Sequence, residues 1–171
     1  MPLDPGPLGD ASVVADGDTW TLIFIRDLRH PPAAVWRALT DPAEIDRWAP
    51  FRPDRDLGTT GDAVLTMVDG AEHTDLPGIV LRAEAPALLE YTWGADRLRW
   101  DLEATAGGTR LTLRHTSAER DIEAMVAAGW HLCFVVLERL LDGEPVEAVR
   151  GDAAREHGWA DLRDGYAVKF A

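Results

Sequence analysis

The apolar positions along the chain change period several times, and each change predicts an element. Trp20 to Leu28 is apolar on both parities and rich in β-formers, which predicts a well-buried strand. Pro31-Pro32 then opens a short helix carrying Val35, Trp36 and Leu39 at helical spacing, with proline accommodated in the first turn. Asp41, Pro42 and Glu44 form a capping-box-like signature for a second short helix, whose apolar face is Ile45 and Trp48. Phe51 to Thr60 reads as a charged loop.

From Ala63 the period is two. Ala63, Leu65 and Met67 alternate with more polar neighbours, and Asp69-Gly70 turns the chain. Ile79, Leu81 and Ala83 mark the next strand, followed by Leu89, Tyr91 and Trp93, then Leu98, Trp100 and Leu102. Gly107-Gly108 makes a further turn into Leu111, Leu113 and His115. The pattern predicts an antiparallel meander with one apolar face.

Asp121 to Leu141 returns to a period of 3.6. Ile122, Met125, Val126, Gly129, Leu132, Cys133, Val136, Leu137 and Leu140 form a stripe that Trp130, Phe134 and Leu141 widen. A helix of that length reaches about 30 Å, enough to lie across a whole sheet. Asp142-Gly143 ends it, and Trp159, Leu162, Tyr166 and Phe170 predict an amphipathic helix docked on the body. At the other end the prolines, glycines and aspartates before Asp18 read as a loose arm, with Ser12 to Val14 as a short strand candidate. The expected division is an arm over residues 1–19, one domain over 20–143 and a helical extension over 144–171.

Composition narrows the function classes. At 171 residues, with 46% hydrophobic and 27% charged positions, the chain suits one globular domain. Seventeen basic against thirty acidic residues give a net charge of −13, and no stretch concentrates Lys or Arg, so nucleic acid and anionic membranes are poor partners. The single cysteine, Cys133, excludes an intramolecular disulfide and a Cys-based zinc site. The longest unbroken apolar run, Leu132 to Leu137, is too short to span a bilayer. The first nineteen residues hold no Lys, no Arg and no apolar core of a secretory signal, so a soluble cytoplasmic protein is expected.

One strand, two short helices, a meander and one long apolar helix is an order few architectures use. The cheapest closure is an α+β fold in which a curved antiparallel sheet wraps the long helix. In this order the chain resembles the helix-grip (START-like, SRPBCC) superfamily, and within it the Activator of Hsp90 ATPase homologue 1-like family. The resemblance rests on His30-Pro31-Pro32-Ala33-Ala34-Val35-Trp36-Arg37-Ala38-Leu39-Thr40-Asp41-Pro42 with Trp48 after it, on Gly78-Ile79-Val80 and on Leu88-Leu89-Glu90-Tyr91-Thr92-Trp93. Gly107 to Leu113 and Gly129-Trp130 complete it. It implies an elongated, mostly apolar cavity between sheet and helix, without implying a shared catalytic set.

The residues expected to line that cavity are Trp48, Met67, Leu81, Trp93, Trp100, Leu113, His115, Trp130 and Phe134. Most of the space is expected between the long helix and the strand bearing Leu111, Leu113 and His115. His115, on the inward parity, is the residue that could orient a polar ligand head or act as acid and base. The other histidines give less. Glu72-His73-Thr74-Asp75 lies on an extended turn that does not converge on a metal, His30 precedes a helix, and His131 and His157 have no spaced partner. No metal and no cofactor are expected. There is no G-x-S-x-G elbow, P-loop, G-x-G-x-x-G or H-E-x-x-H motif, and Cys133 reads as a small hydrophobe.

Three readings remain open at this level. The first is a non-catalytic protein holding a small apolar or aromatic ligand. The second is a polyketide cyclase- or aromatase-like enzyme using the same cavity, with His115 as its acid or base. The third is a co-chaperone-like interaction module. A homodimer is compatible with each.

Overall fold

A computed structural model describes residues 2–171. The chain runs β1 (Asp10–Asp16), β2 (Thr19–Leu28), α1 (Pro32–Thr40), α2 (Pro42–Ile45), β3 (Phe51–Pro53), β4 (Gly61–Asp69), β5 (Glu72–Glu84), β6 (Leu88–Trp93), β7 (Asp96–Thr105), β8 (Gly108–Ser117) and α3 (Glu123–Leu141). A 3₁₀ helix (Gly151–His157) and α4 (Trp159–Phe170) follow. The eight strands make one antiparallel sheet in the order β1-β2-β8-β7-β6-β5-β4-β3. The first hairpin therefore closes onto the last strand of the meander, with Phe24 opposite Leu113 and Leu22 opposite His115.

The helix-grip closure follows from the burial pattern. In α3 every residue from Ala127 to Leu137 is buried except Gly129. By length and composition α3 could cross a membrane, but most of it is packed inside the fold as the core helix. Its aromatic side chains mesh with those of the sheet: Phe134 meets Phe24 edge-on at 5.1 Å, and Trp130 meets Trp100 edge-on at 5.4 Å. Trp48 closes the far side of Trp100 at 5.9 Å and anchors its indole N–H on the Ala38 carbonyl. At the start of α2, Asp41 caps the helix by accepting from the Ala43 amide at 2.9 Å.

Two stretches differ from the sequence expectation. The charged loop after Trp48 contains β3, because Phe51 is buried and pairs opposite Met67. In β5 the inward residues are Gly78 and Val80, not Ile79 and Leu81, which are 47% and 41% exposed. Residues directly opposite each other share a face, and the buried Ala63 and Tyr91 pair with Gly78 and Val80 respectively. A bulge between Val80 and Arg82 then flips the parity, so that Ala83 comes to lie opposite the buried Leu89. Apolar residues on both faces of β5 hide this from a period-two reading.

The ends of the chain are tied to the body. β1 pairs along its whole length with β2, further than the three residues expected. In α4, Leu162 and Tyr166 are buried, and the helix packs on α3 and β1. Trp159 and Phe170 complete this face at lower burial.

Candidate functional site

One end of the sheet–helix interface is not filled. A cavity of about 350 Å³ lies among the ends of β4, β6 and β8, the N-terminal half of α3 and the segment after α3. Met67 and Val68 come from β4, Trp93 from β6 and His115 from β8. Val126, Gly129, Trp130 and Cys133 come from α3, and Val149, Arg150, Gly151, Ala154 and Trp159 form the wall beyond it. Gly129 explains part of the space: a Cβ built there meets no atom within 4 Å. A glycine inside a helix costs roughly 1 kcal/mol relative to alanine, so this position gives up helix stability while keeping the wall open.

His115 sits at the edge of the cavity, 2% exposed. Trp20, Trp93 and Trp130 surround its ring at centroid distances of 6.0, 5.8 and 6.1 Å. Both ring nitrogens are engaged. The Trp130 indole N–H donates to Nδ1 at 2.9 Å, and Nε2 lies 2.7 Å from Oδ2 of Asp96. An indole can only donate, so Nδ1 accepts and the proton on Nε2 goes to the carboxylate. His115 thus presents carbon, not nitrogen, to the cavity. Burial pushes the Cys133 thiol up to about 12, so it stays protonated and apolar at neutral pH. Among the described residues, no group of three or more His, Cys, Asp or Glu side chains could hold a metal ion.

Of the nine residues expected to line a cavity, the structure brings Met67, Trp93, His115 and Trp130 together there. Trp48, Trp100, Leu113 and Phe134 lie beneath it in packed core, each at most 2% exposed. Leu81 points to the outer face, as the β5 parity requires. The space is also displaced from where the sequence put it. Leu111 and Leu113 are fully packed, and only the His115 end of β8 reaches the cavity.

Sequence reasoning missed two residues, His131 and Arg150, and the hydrogen-bonding role of a third, Tyr166. His131, expected to lack a partner, is fully buried on α3, with Nδ1 2.6 Å from the Tyr166 hydroxyl and Nε2 2.6 Å from the Pro5 carbonyl. Tyr166 also accepts from the Gly9 amide at 2.8 Å, so one cluster joins the N-terminal arm, α3 and α4. Arg150 reaches from the segment after α3 to the turn that follows α2, donating to the carbonyls of Ala49 and Asp46 at 2.8 Å each. No spacing signal links residues more than a hundred positions apart; only the apolar phase of Tyr166 hinted at contact.

Comparison with known proteins agrees with this architecture. Residues 29–142 match the family model for Activator of Hsp90 ATPase homolog 1-like proteins, more than half of the chain, and the chain belongs to that family. No curated protein matches it. The solution structure of CalU16 from Micromonospora echinospora superposes with a TM-score of 0.71 at 21% identity, covering 95% of each chain. EF2215 from Enterococcus faecalis, a conserved protein of unknown function, gives 0.70 at 19% identity, covering 93% of this chain and 89% of its own. The AHSA1-like protein from Aeromonas hydrophila gives 0.61 at 22%, covering 72% of this chain and 92% of its own. These likenesses show the helix-grip fold. CalU16 and EF2215 align over shares too large to leave out the residues after Gly143, whereas the family match ends at residue 142.

Proposed function

We propose that the protein is a non-catalytic binding protein that holds a small, neutral, apolar or aromatic molecule in this cavity. The observation that carries the reading is the unfilled space in front of Gly129, walled by Trp93, Trp130, Met67 and Trp159. The space opens to solvent on one side and its lining is mostly apolar, so a pocket of this size beside a helix-interior glycine suits a small apolar ligand. An apolar cavity of about 150 Å³ accommodates one benzene, so about 350 Å³ suits two to three rings.

Charge favours a neutral occupant. Arg150 already donates to two carbonyls, and the side chain of Asp69 stands at the rim, so a ligand carboxylate meets no free cation there. The cyclase-like alternative needs a group that takes or gives a proton. Both nitrogens of His115 are spent on Trp130 and Asp96, which weighs against it in that role.

Native mass spectrometry of the protein as purified tests the reading. The expected result is a small-molecule adduct on the 18.8 kDa chain that is lost on denaturation. A bare chain that also takes up no member of a set of one- to three-ring aromatic compounds contradicts it.

A further inference from the structure

We propose that residues 144–158 form a strap that opens to admit and release the occupant of the cavity, with Arg150 as its latch. The proposal rests on the binding reading above and concerns how that site exchanges its ligand.

The strap hangs between two fixed points. α3 is buried at one end, and Leu162 and Tyr166 hold α4 at the other. Between them, residues 144–150 have no regular structure, and the 3₁₀ helix Gly151–His157 has no buried residue. Few buried contacts and a short 3₁₀ turn are the marks of a segment that opens at low cost while the rest stays folded. Yet Val149, Gly151 and Ala154 supply one wall of the cavity, so its occupant would lie against a segment without a buried residue.

What holds the strap down is local. Among the described residues, its hydrogen bonds beyond its roots on α3 and α4 are those of Arg150 and one at its far end, where His157 Nδ1 accepts from the Leu3 amide at 2.8 Å. Arg150 Nε donates to the Ala49 carbonyl and Nη2 to the Asp46 carbonyl, both at 2.8 Å. The Asp46 carboxylate adds a longer contact at 3.4 Å. A guanidinium forked across two carbonyls fixes orientation as well as distance, which a lysine does not reproduce. Beside it, Gly151 has φ +56°, and a Cβ there would run into the Asp69 carboxylate. Another residue there would strain the left-handed turn and displace the Asp69 carboxylate, so glycine seats the strap against the end of β4 at lowest cost.

The test uses the full-length protein and the neutral dye N-phenyl-1-naphthylamine, with energy transfer from the cavity tryptophans as the signal. Dye release is timed by stopped-flow chase for wild type, Arg150→Ala and Gly151→Ala, with far-UV circular dichroism reporting that each is folded. Loss of hydrogen bonds from a charged donor shifts an opening equilibrium on the order of tenfold to a hundredfold. Release from Arg150→Ala is therefore expected at least about tenfold faster than from wild type, and release from Gly151→Ala, whose side chain strains the left-handed turn, about fivefold faster or more. Amide exchange in wild type is expected to be faster in residues 147–156 than in α3 and to slow when dye is bound. If dye binds wild type but both variants release it at the wild-type rate, the strap proposal is overturned and the binding reading stands. If no folded form takes up dye, the binding reading falls and the strap with it.

Discussion

The indole N–H of Trp130 donates to Nδ1 of His115 across 2.9 Å, and this bond decides which ring nitrogen carries the proton. It joins α3 to the sheet at the wall of the cavity, in a place where the imidazole would otherwise be the obvious chemical group. With Asp96 holding the other nitrogen, the pair works as a polar strut inside an aromatic cluster.

Removing the donor should cost more than an exposed hydrogen bond. Trp130→Phe keeps an aromatic ring but leaves Nδ1 of a buried histidine without a partner. An orphaned buried acceptor costs about 1–3 kcal/mol, to which the smaller ring adds a cavity term. Urea denaturation checks the loss. Trp130→Phe as stable as wild type would mean that the strut carries no load.

The His131 cluster makes stability depend on pH in one direction. Burial first, and then the positive charge of Arg26 from β2, hold the His131 pKa below its usual 6.5, against the raising effect of the Pro5 carbonyl. Arg26 is itself paired with Glu138 of α3 at 2.7 Å, and Tyr166 of α4 faces Nδ1. The unfolded chain takes up the proton as pH falls through about 6.5, while the folded protein resists it. The contribution is thus fully present above that pH and is lost as pH falls toward the lowered folded value. Melting temperature measured from pH 8 to pH 5 should decline more steeply below 6.5 in wild type than in His131→Gln. Identical profiles would contradict the assignment.

Tyr166→Phe tests the same cluster at neutral pH. It deprives the buried Nδ1 of His131 of its donor and the half-buried Gly9 amide of its acceptor. A loss of about 1–3 kcal/mol is expected, with the N-terminal arm showing the largest gain in amide exchange.

How far the sequence reached depends on the range of the interaction. The strands, α3 and the buried face of α4 were legible because each rests on a local period, such as Leu111-Leu113-His115 or Leu162-Tyr166. The family match was legible because the run from His30 to Pro42 is contiguous. β5 was misread at Ile79 and Leu81 because both faces carry apolar residues and the bulge at Val80 leaves no mark in composition. The cavity was displaced for a different reason. Whether a wide apolar stripe meets filled or empty space depends on which side chains oppose it, and Leu113 meets Phe24 across the strand pair while Gly129 meets nothing. His131 and Arg150 were invisible because their partners, Pro5 and Asp46, are distant in the chain and are met through backbone carbonyls.

Leu113 and Gly129 accordingly respond in opposite ways to added volume. Leu113 is fully buried in packed core, so Leu113→Trp should overpack and cost about 1–3 kcal/mol. Gly129→Ala, with open space at its Cβ and a better helix former in α3, should stabilise by up to about 1 kcal/mol. Thermal melts of the two variants check both signs.

The most direct measurement is the titration of N-phenyl-1-naphthylamine into wild type, Gly129→Ala and Gly129→Phe, read by energy transfer from Trp93, Trp130 and Trp159. Wild type and Gly129→Ala are expected to bind one dye saturably. Gly129→Phe, whose ring occupies the same space, is expected to melt within a few degrees of wild type and to bind none. Dye uptake by Gly129→Phe equal to that of wild type, or no uptake by wild type, would contradict a ligand site in this cavity.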